Sequence, residues 1–177
     1  MSIKIRFWGV RGSIASPGPA TAGVGGNTSS VEVRCGGRVI ALDAGTGLRA
    51  FGNSLMKEGA VDLTMLLSHH HWDHIQGLPF FVPLYLPTTK LTVLGPKAER
   101  HGLHEVLSAQ MSSPVFPVRL EEIASRLETR ELWSGPTLTA NACNSRARSD
   151  LPSSAMSRAL ASNRIGARSA MRSLTHP

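Results

Sequence analysis

The stretch Leu63-Thr64-Met65-Leu66-Leu67-Ser68-His69-His70-His71-Trp72-Asp73-His74 decides how this chain is read. An apolar run of strand length ends abruptly on four histidines and an aspartate. A buried strand that delivers its C-terminal end to such a cluster reads as the mount of a site. If the backbone stays extended past Ser68, side chains alternate, so His69 and His71 share one side and His70 and Trp72 the other. Two imidazoles one residue apart can share an ion. Asp73 and His74 follow where the chain must turn, and a turn can bring both back toward the same cavity as a second donor pair. Neutral imidazole with one carboxylate suits zinc first, with iron, manganese or nickel as alternatives, because imidazole accepts all of them. The bland reading is a solvated cluster or an expression tag. A tag belongs at a terminus, however, and this cluster is internal, just ahead of Gly77-Leu78-Pro79.

Working back toward the N-terminus, Asp43-Ala44-Gly45-Thr46-Gly47 follows the run Val39-Ile40-Ala41-Leu42, which reads as a strand. Val31-Glu32-Val33-Arg34-Cys35 alternates with period two, and Gly36-Gly37 between the runs is a two-residue hairpin turn, so the two strands pair antiparallel. Asp43 either serves the site or caps the helix that follows. Leu48, Phe51 and Leu55 repeat at i, i+3 and i+7, which predicts a helix over 48–58 ending at Gly59. Ile3-Lys4-Ile5-Arg6-Phe7 is a first alternating strand. The loop after it, rich in Gly and Pro through Gly26, suits the rim of a site. It matches neither G-x-x-x-x-G-K-[ST] nor the strand-G-x-G-x-x-G-helix arrangement, so it is not read as a nucleotide cradle.

Beyond the cluster, Gly77-Leu78-Pro79-Phe80-Phe81 starts an apolar segment expected to shield the site from bulk water, with Pro83 and Pro87 as breakers. Its aromatics are expected in the core before they are expected to form a substrate platform. Leu91-Thr92-Val93-Leu94-Gly95 reads as a strand, and Leu103, Val106, Leu107 and Gln110 mark a helix over 97–110. His101 and His104 sit in that helix with no evident carboxylate partner and are expected to be solvated. Leu127 to Trp133 and Thr137 to Ala140 read as edge strands around Ser134-Gly135-Pro136. The order predicts an α/β fold, a mixed sheet covered by helices.

At 177 residues, 41% apolar and 18% charged, the chain suits one soluble domain, and no apolar stretch is long enough to span a bilayer. Residues 1 to 6 alternate and lack an apolar signal region, so a cytoplasmic location is the default. Cys35 and Cys143 are not in C-x-x-C spacing, which argues against a zinc ribbon or disulfide framework and for plain thiols. The net charge of +7 is uneven: residues 1–143 hold 13 Lys+Arg against 11 Asp+Glu, whereas 144–177 hold 6 against 1. That last stretch has 8 Ser, 6 Arg and 6 Ala in 34 residues. It reads as a disordered tail, as a basic helix striped by Met156, Leu160, Met171 and Leu174, or as out-of-frame sequence replacing something else.

His69-His70-His71-Trp72-Asp73-His74 is a complete match to H-x-H-x-D-H, and on these residues the chain resembles the metallo-β-lactamase superfamily of metal-dependent hydrolases. Phe7-Trp8-Gly9-Val10-Arg11-Gly12-Ser13 and Gly25-Gly26-Asn27-Thr28-Ser29-Ser30 resemble its ribonuclease Z-like and cyclic-phosphate phosphodiesterase-like branch. The resemblance implies an αββα fold, represented by residues 1–143 as an N-terminal portion, with the second half missing or replaced. It also implies two divalent ions, zinc first with manganese or iron as alternatives. His69 and His71 would hold one and Asp73 with His74 the other; Asp43 would orient the ligand loop, His70 and Trp72 would pack or support the ligands from behind, and Asp73 would also move a proton in catalysis. The family's remaining ligands, a further histidine, a bridging aspartate and a final histidine, have no match here. The expected activity is hydrolysis of a phosphodiester of nucleotide type by metal-activated water, weak in so incomplete a chain. The alternatives are a non-catalytic metal-binding remnant, or a module that binds nucleic acid or membrane through its basic tail. A lactam or thioester substrate and an oligomeric assembly are both compatible with the sequence.

Overall fold

The computed structural model describes residues 2–98 and 100–132. Six strands form one sheet in chain order: β1 (Ile3–Gly9), β2 (Ser30–Cys35), β3 (Arg38–Leu42), β4 (Asp62–Leu66), β5 (Lys90–Pro96) and β6 (Arg126–Leu132). β1, β2 and β3 pair antiparallel, and β3 to β6 run parallel. The sheet is therefore mixed, as expected. Cys35 pairs with Arg38 across the hairpin, and Gly36 and Gly37 take φ of 56° and 79°. Two successive left-handed residues make the tight turn whose twist matches the strands it joins.

The parallel strands are connected by α1 (Gly47–Leu55), by α2 (Trp72–Ile75) with two short 3-10 turns, and by α3 (Leu103–Gln110). Strand order never reverses. Parallel crossovers are right-handed almost without exception, so crossovers that all step in one direction put their helices on one face. The core lies on that face: Leu63, Met65, Leu91 and Val93 point into Leu48, Phe51, Leu78, Phe81, Leu84, Leu103 and Leu107, all essentially inaccessible to water. Phe81 is thus a core residue as expected, whereas Phe80 is 56% exposed. On the same face Trp8 stacks on Phe51 with ring centroids 5.6 Å apart and donates from Nε1 to buried Glu32. Arg34 also pairs with Glu32 and grips Glu58 through both terminal nitrogens at 2.7 Å.

Two boundaries differ from the sequence reading. The helix predicted over 48–58 starts at Gly47 and ends at Leu55; Lys57 and Glu58 make i→i−3 bonds, so the last turn tightens before Gly59. The helix predicted over 97–110 begins only at Leu103. The sheet claims residues through Pro96, which pairs with Leu132, and the Glu131 carboxylate accepts from the Leu103 N–H where the helix starts. Cys35 is buried, and Cys143 lies outside the described residues. Trp133, the strand expected at Thr137 to Ala140 and the tail 144–177 lie outside the described residues.

Candidate functional site

The carboxyl ends of the parallel strands β3 and β4 deliver Asp43 and the loop Ser68 to His74 to the same end of the sheet. Backbone hydrogen bonds stitch the loops together: Asp43 N–H to Leu66, Ala44 N–H to His74, Gly77 N–H to Ala44, and Gly45 N–H to Ser29, each at 2.8 Å. The approach is too close for side chains. A Cβ on Gly77 would stand 2.0 Å from the Gly45 oxygen, and one on Gly45 2.4 Å from both the Asp73 oxygen and Thr28 Oγ1. Thr28 and Thr46 exchange bonds between N–H and hydroxyl at 2.8 Å, which ties the Gly-rich N-terminal loop to the same knot.

Asp43 is the hub. It occupies the left-handed region at φ 61°, which Asp tolerates better than most residues. Its Oδ1 accepts from the Ser68 N–H and hydroxyl, both at 2.8 Å, and its Oδ2 accepts from Ser29 Oγ at 3.1 Å. The helix cap that competed with this role in the sequence is at Thr46 instead. Asp43 Oδ2 also lies 2.8 Å from His74 Nδ1. A carboxylate can only accept, so Nδ1 carries a proton. That Nε2 faces Asp73 Oδ2 at 3.4 Å.

The structure brings the three expected histidines together. The His69 ring is 4.1 Å from that of His74 and 4.5 Å from that of His71, centroid to centroid. Burial, and then the neighbouring His74 and His71, push the His69 pKa down, which favours neutral imidazole. Burial also lowers that of His70, whose Nε2 is shielded and has no hydrogen-bond partner. Trp72, expected to pack, is instead 56% exposed at the start of α2. Asp73 is buried, and its carboxyl is held below the usual range chiefly by the Ser13 backbone N–H, 2.7 Å from Oδ2. Ser13 is itself left-handed at φ 67°, a contact with no signal in the sequence beyond its place in the N-terminal motif. His101, expected to lack a carboxylate partner, lies 2.8 Å from Glu105 and precedes α3; it and His104, beside Ser108, stand apart from the site residues named above.

The donor set fits a divalent cation in its chemistry. Nε2 of His74 and Oδ2 of Asp73 face each other at 3.4 Å, an imidazole nitrogen and a carboxylate oxygen of the kind that ligate zinc. Two more imidazoles stand beside them, and Asp43 fixes the ring behind, as ligand histidines are commonly fixed. Among the described residues, no three His, Cys, Asp or Glu side chains converge into a closed metal-holding group.

No family model matches the chain. Among curated proteins, ribonuclease Z of Haloarcula marismortui is 26% identical over 131 residues, covering 71% of this chain and 39% of that protein. Ribonuclease Z of Pyrococcus horikoshii is 28% identical over 116 residues, covering 61% of this chain and 38% of the relative. The chain therefore spans about two-fifths of the length of the curated relatives it matches. Among solved structures, a diphosphatase from the PhnP family superposes with a TM-score of 0.51 at 17% identity, covering 77% of this chain and 53% of that one. Across the part that they match, the chain is similar to ribonuclease Z in sequence and to a PhnP-family diphosphatase in its mixed α/β fold.

Proposed function

We propose that the chain carries the N-terminal part of a metal-dependent hydrolase that cleaves a phosphodiester with metal-activated water. One observation carries the reading: Asp43 fixes the His74 ring so that its Nε2 faces the Asp73 carboxylate, with His69 and His71 alongside. His69 and His71 would hold one ion and Asp73 with His74 a second, zinc before manganese or iron, and the chemistry such ions would supply is an activated water and compensation of charge on the attacked phosphate. Asp73, kept ionised by the Ser13 N–H, accepts a proton at its carboxylate from the attacking water and returns it to the leaving oxygen. Cleavage of phosphodiester bonds is what a ribonuclease does, so the curated relatives support a nucleotide or nucleic-acid substrate.

A metal-binding remnant without turnover is the second reading. It is favoured by the finding that, among the described residues, no group of three His, Cys, Asp or Glu is placed to hold a metal ion. The test is metal content after supply of zinc, manganese or iron, together with hydrolysis of bis-p-nitrophenyl phosphate, for the chain and for His71→Ala. The expected result is bound metal in the chain, and at least a tenfold loss of affinity and of hydrolysis in the variant, the order seen when metal sites lose a supporting group. Equal uptake by both proteins would end the assignment. Uptake that depends on His71 without turnover would establish the remnant.

A further inference from the structure

Arg11 lies beside the candidate site with nothing to neutralise it. Among the described residues, Arg11 and Arg34 are the two Lys or Arg side chains that are not largely exposed. Arg34 is held by the carboxylates of Glu32 and Glu58. Arg11 has neither an ion pair nor a side-chain hydrogen bond, and its Nε is sealed from water without a partner. A buried N–H without an acceptor is costly, and an incoming oxygen acceptor relieves that cost.

The backbone fixes where that anion would sit. The Arg11 N–H donates to the Asn27 oxygen at 3.0 Å, and Arg11 bridges to Thr28, whose hydroxyl belongs to the knot around Gly45 and Thr46. Two residues on, the Ser13 N–H holds Asp73 Oδ2. Two residues span at most roughly 7 Å, so the Arg11 backbone lies within that distance of the Ser13 N–H that holds Asp73. The carboxylates of Asp43 and Asp73 are occupied by Ser29, Ser68, His74 and Ser13, and neither pairs with Arg11.

We infer that Arg11 receives the non-bridging oxygens of the substrate's phosphate and thereby selects an anionic phosphodiester over a neutral ester, an inference that rests on the hydrolase reading above. The guanidinium fork matches two phosphate oxygens at once, which a lysine ammonium cannot do. Neutral lactam or thioester substrates gain nothing from such a group. Arg11 is thus a residue of substrate choice, whereas the imidazoles and Asp73 serve the chemistry.

The test is a titration of the 177-residue chain with dimethyl phosphate, a monoanionic diester, and separately with trimethyl phosphate, its neutral counterpart. It is followed by NMR at the arginine Nε–H signals. The shielded Nε–H of Arg11 should exchange slowly and shift with dimethyl phosphate but not with the triester. Arg11→Lys should weaken binding of the diester about tenfold, and Arg11→Gln by more, the order expected for loss of a charge-assisted pair. An unchanged Arg11 signal in the natural chain, equal response to the neutral triester, or full diester affinity in folded Arg11→Gln would each overturn the assignment. Binding needs no turnover, so the two proposals fail separately. Dimethyl phosphate bound at Arg11 without hydrolysis would refute only the catalytic reading, and hydrolysis indifferent to Arg11→Gln would refute only this one.

Discussion

The two faces of the sheet are made from the same strands and meet different fates. Phe7, Val31, Leu42, Leu66 and Leu94 stand in register on one face; Arg6, Glu32, Ala41, Met65 and Val93 stand in register on the other. The second row looks the more polar at its β1 end, yet it is the covered one, with Ala41, Met65 and Val93 at 0% exposure. The first row is apolar almost throughout, yet Phe7 is 67% exposed, and Ile3 and Ile5 beside it are similarly bare. Side-chain alternation identifies which residues share a face. It does not say which face receives cover, because that depends on the direction in which the crossovers step across the sheet.

The sharpest way to break the contrast is at the covered, site-bearing side. Gly77→Ala places a methyl 2.0 Å from a backbone oxygen that cannot move aside. The expected loss exceeds about 4 kcal/mol, enough to abolish cooperative unfolding by urea. Next in size, Phe51→Ala removes a ring that is wholly buried and stacked on Trp8, at a cost of about 3 to 5 kcal/mol in the same measurement. On the open face, Phe7→Ser should change stability by no more than about 0.5 kcal/mol, as surface substitutions do. A cost above about 2 kcal/mol at Phe7 would show that the open face is covered in solution and would remove the contrast altogether.

The smallest effect belongs to the exposed grip of Arg34 on Glu58. The arginine's hydrogen bonds hold the Glu58 carboxyl below its ordinary range. A depressed carboxyl contributes stability above the unfolded pKa of about 4.3, and that contribution is lost as the pH falls through the lower folded value. Glu58→Gln should therefore cost at most about 1 kcal/mol near neutral pH. It should cost nothing measurable once the pH is below the folded value, so comparing urea midpoints at neutral and strongly acid pH checks both the size and the sign.

Much of this architecture was legible in the residues. The hairpin glycines, the period-two strands and the strand-to-histidine handover all report local geometry, and local geometry is what spacing encodes. His69, His71, Asp73, His74 and Asp43 are brought into one neighbourhood. What could not be read was long-range. The left-handed turn at Ser13, which aims an N–H at a carboxylate 60 residues away, has no glycine to announce it. The late start of α3 is imposed by pairing between β5 and β6, which overrides a helical pattern that begins earlier in the sequence.

The knot of loops around Gly45 draws on four separate stretches of chain: the turn through Ser13, the segment at Thr28 and Ser29, the turn after β3, and the histidine loop. Segments so far apart meet late, because the chain entropy lost in closing large loops comes before any reward. Once met, they hold one another, and none can leave alone. Deuterium should therefore enter the amides of Ser13, Ala44, Gly45 and Gly77 at a common rate, as a single cooperative opening, and any variant that loosens one of the four stretches should hasten all of them together.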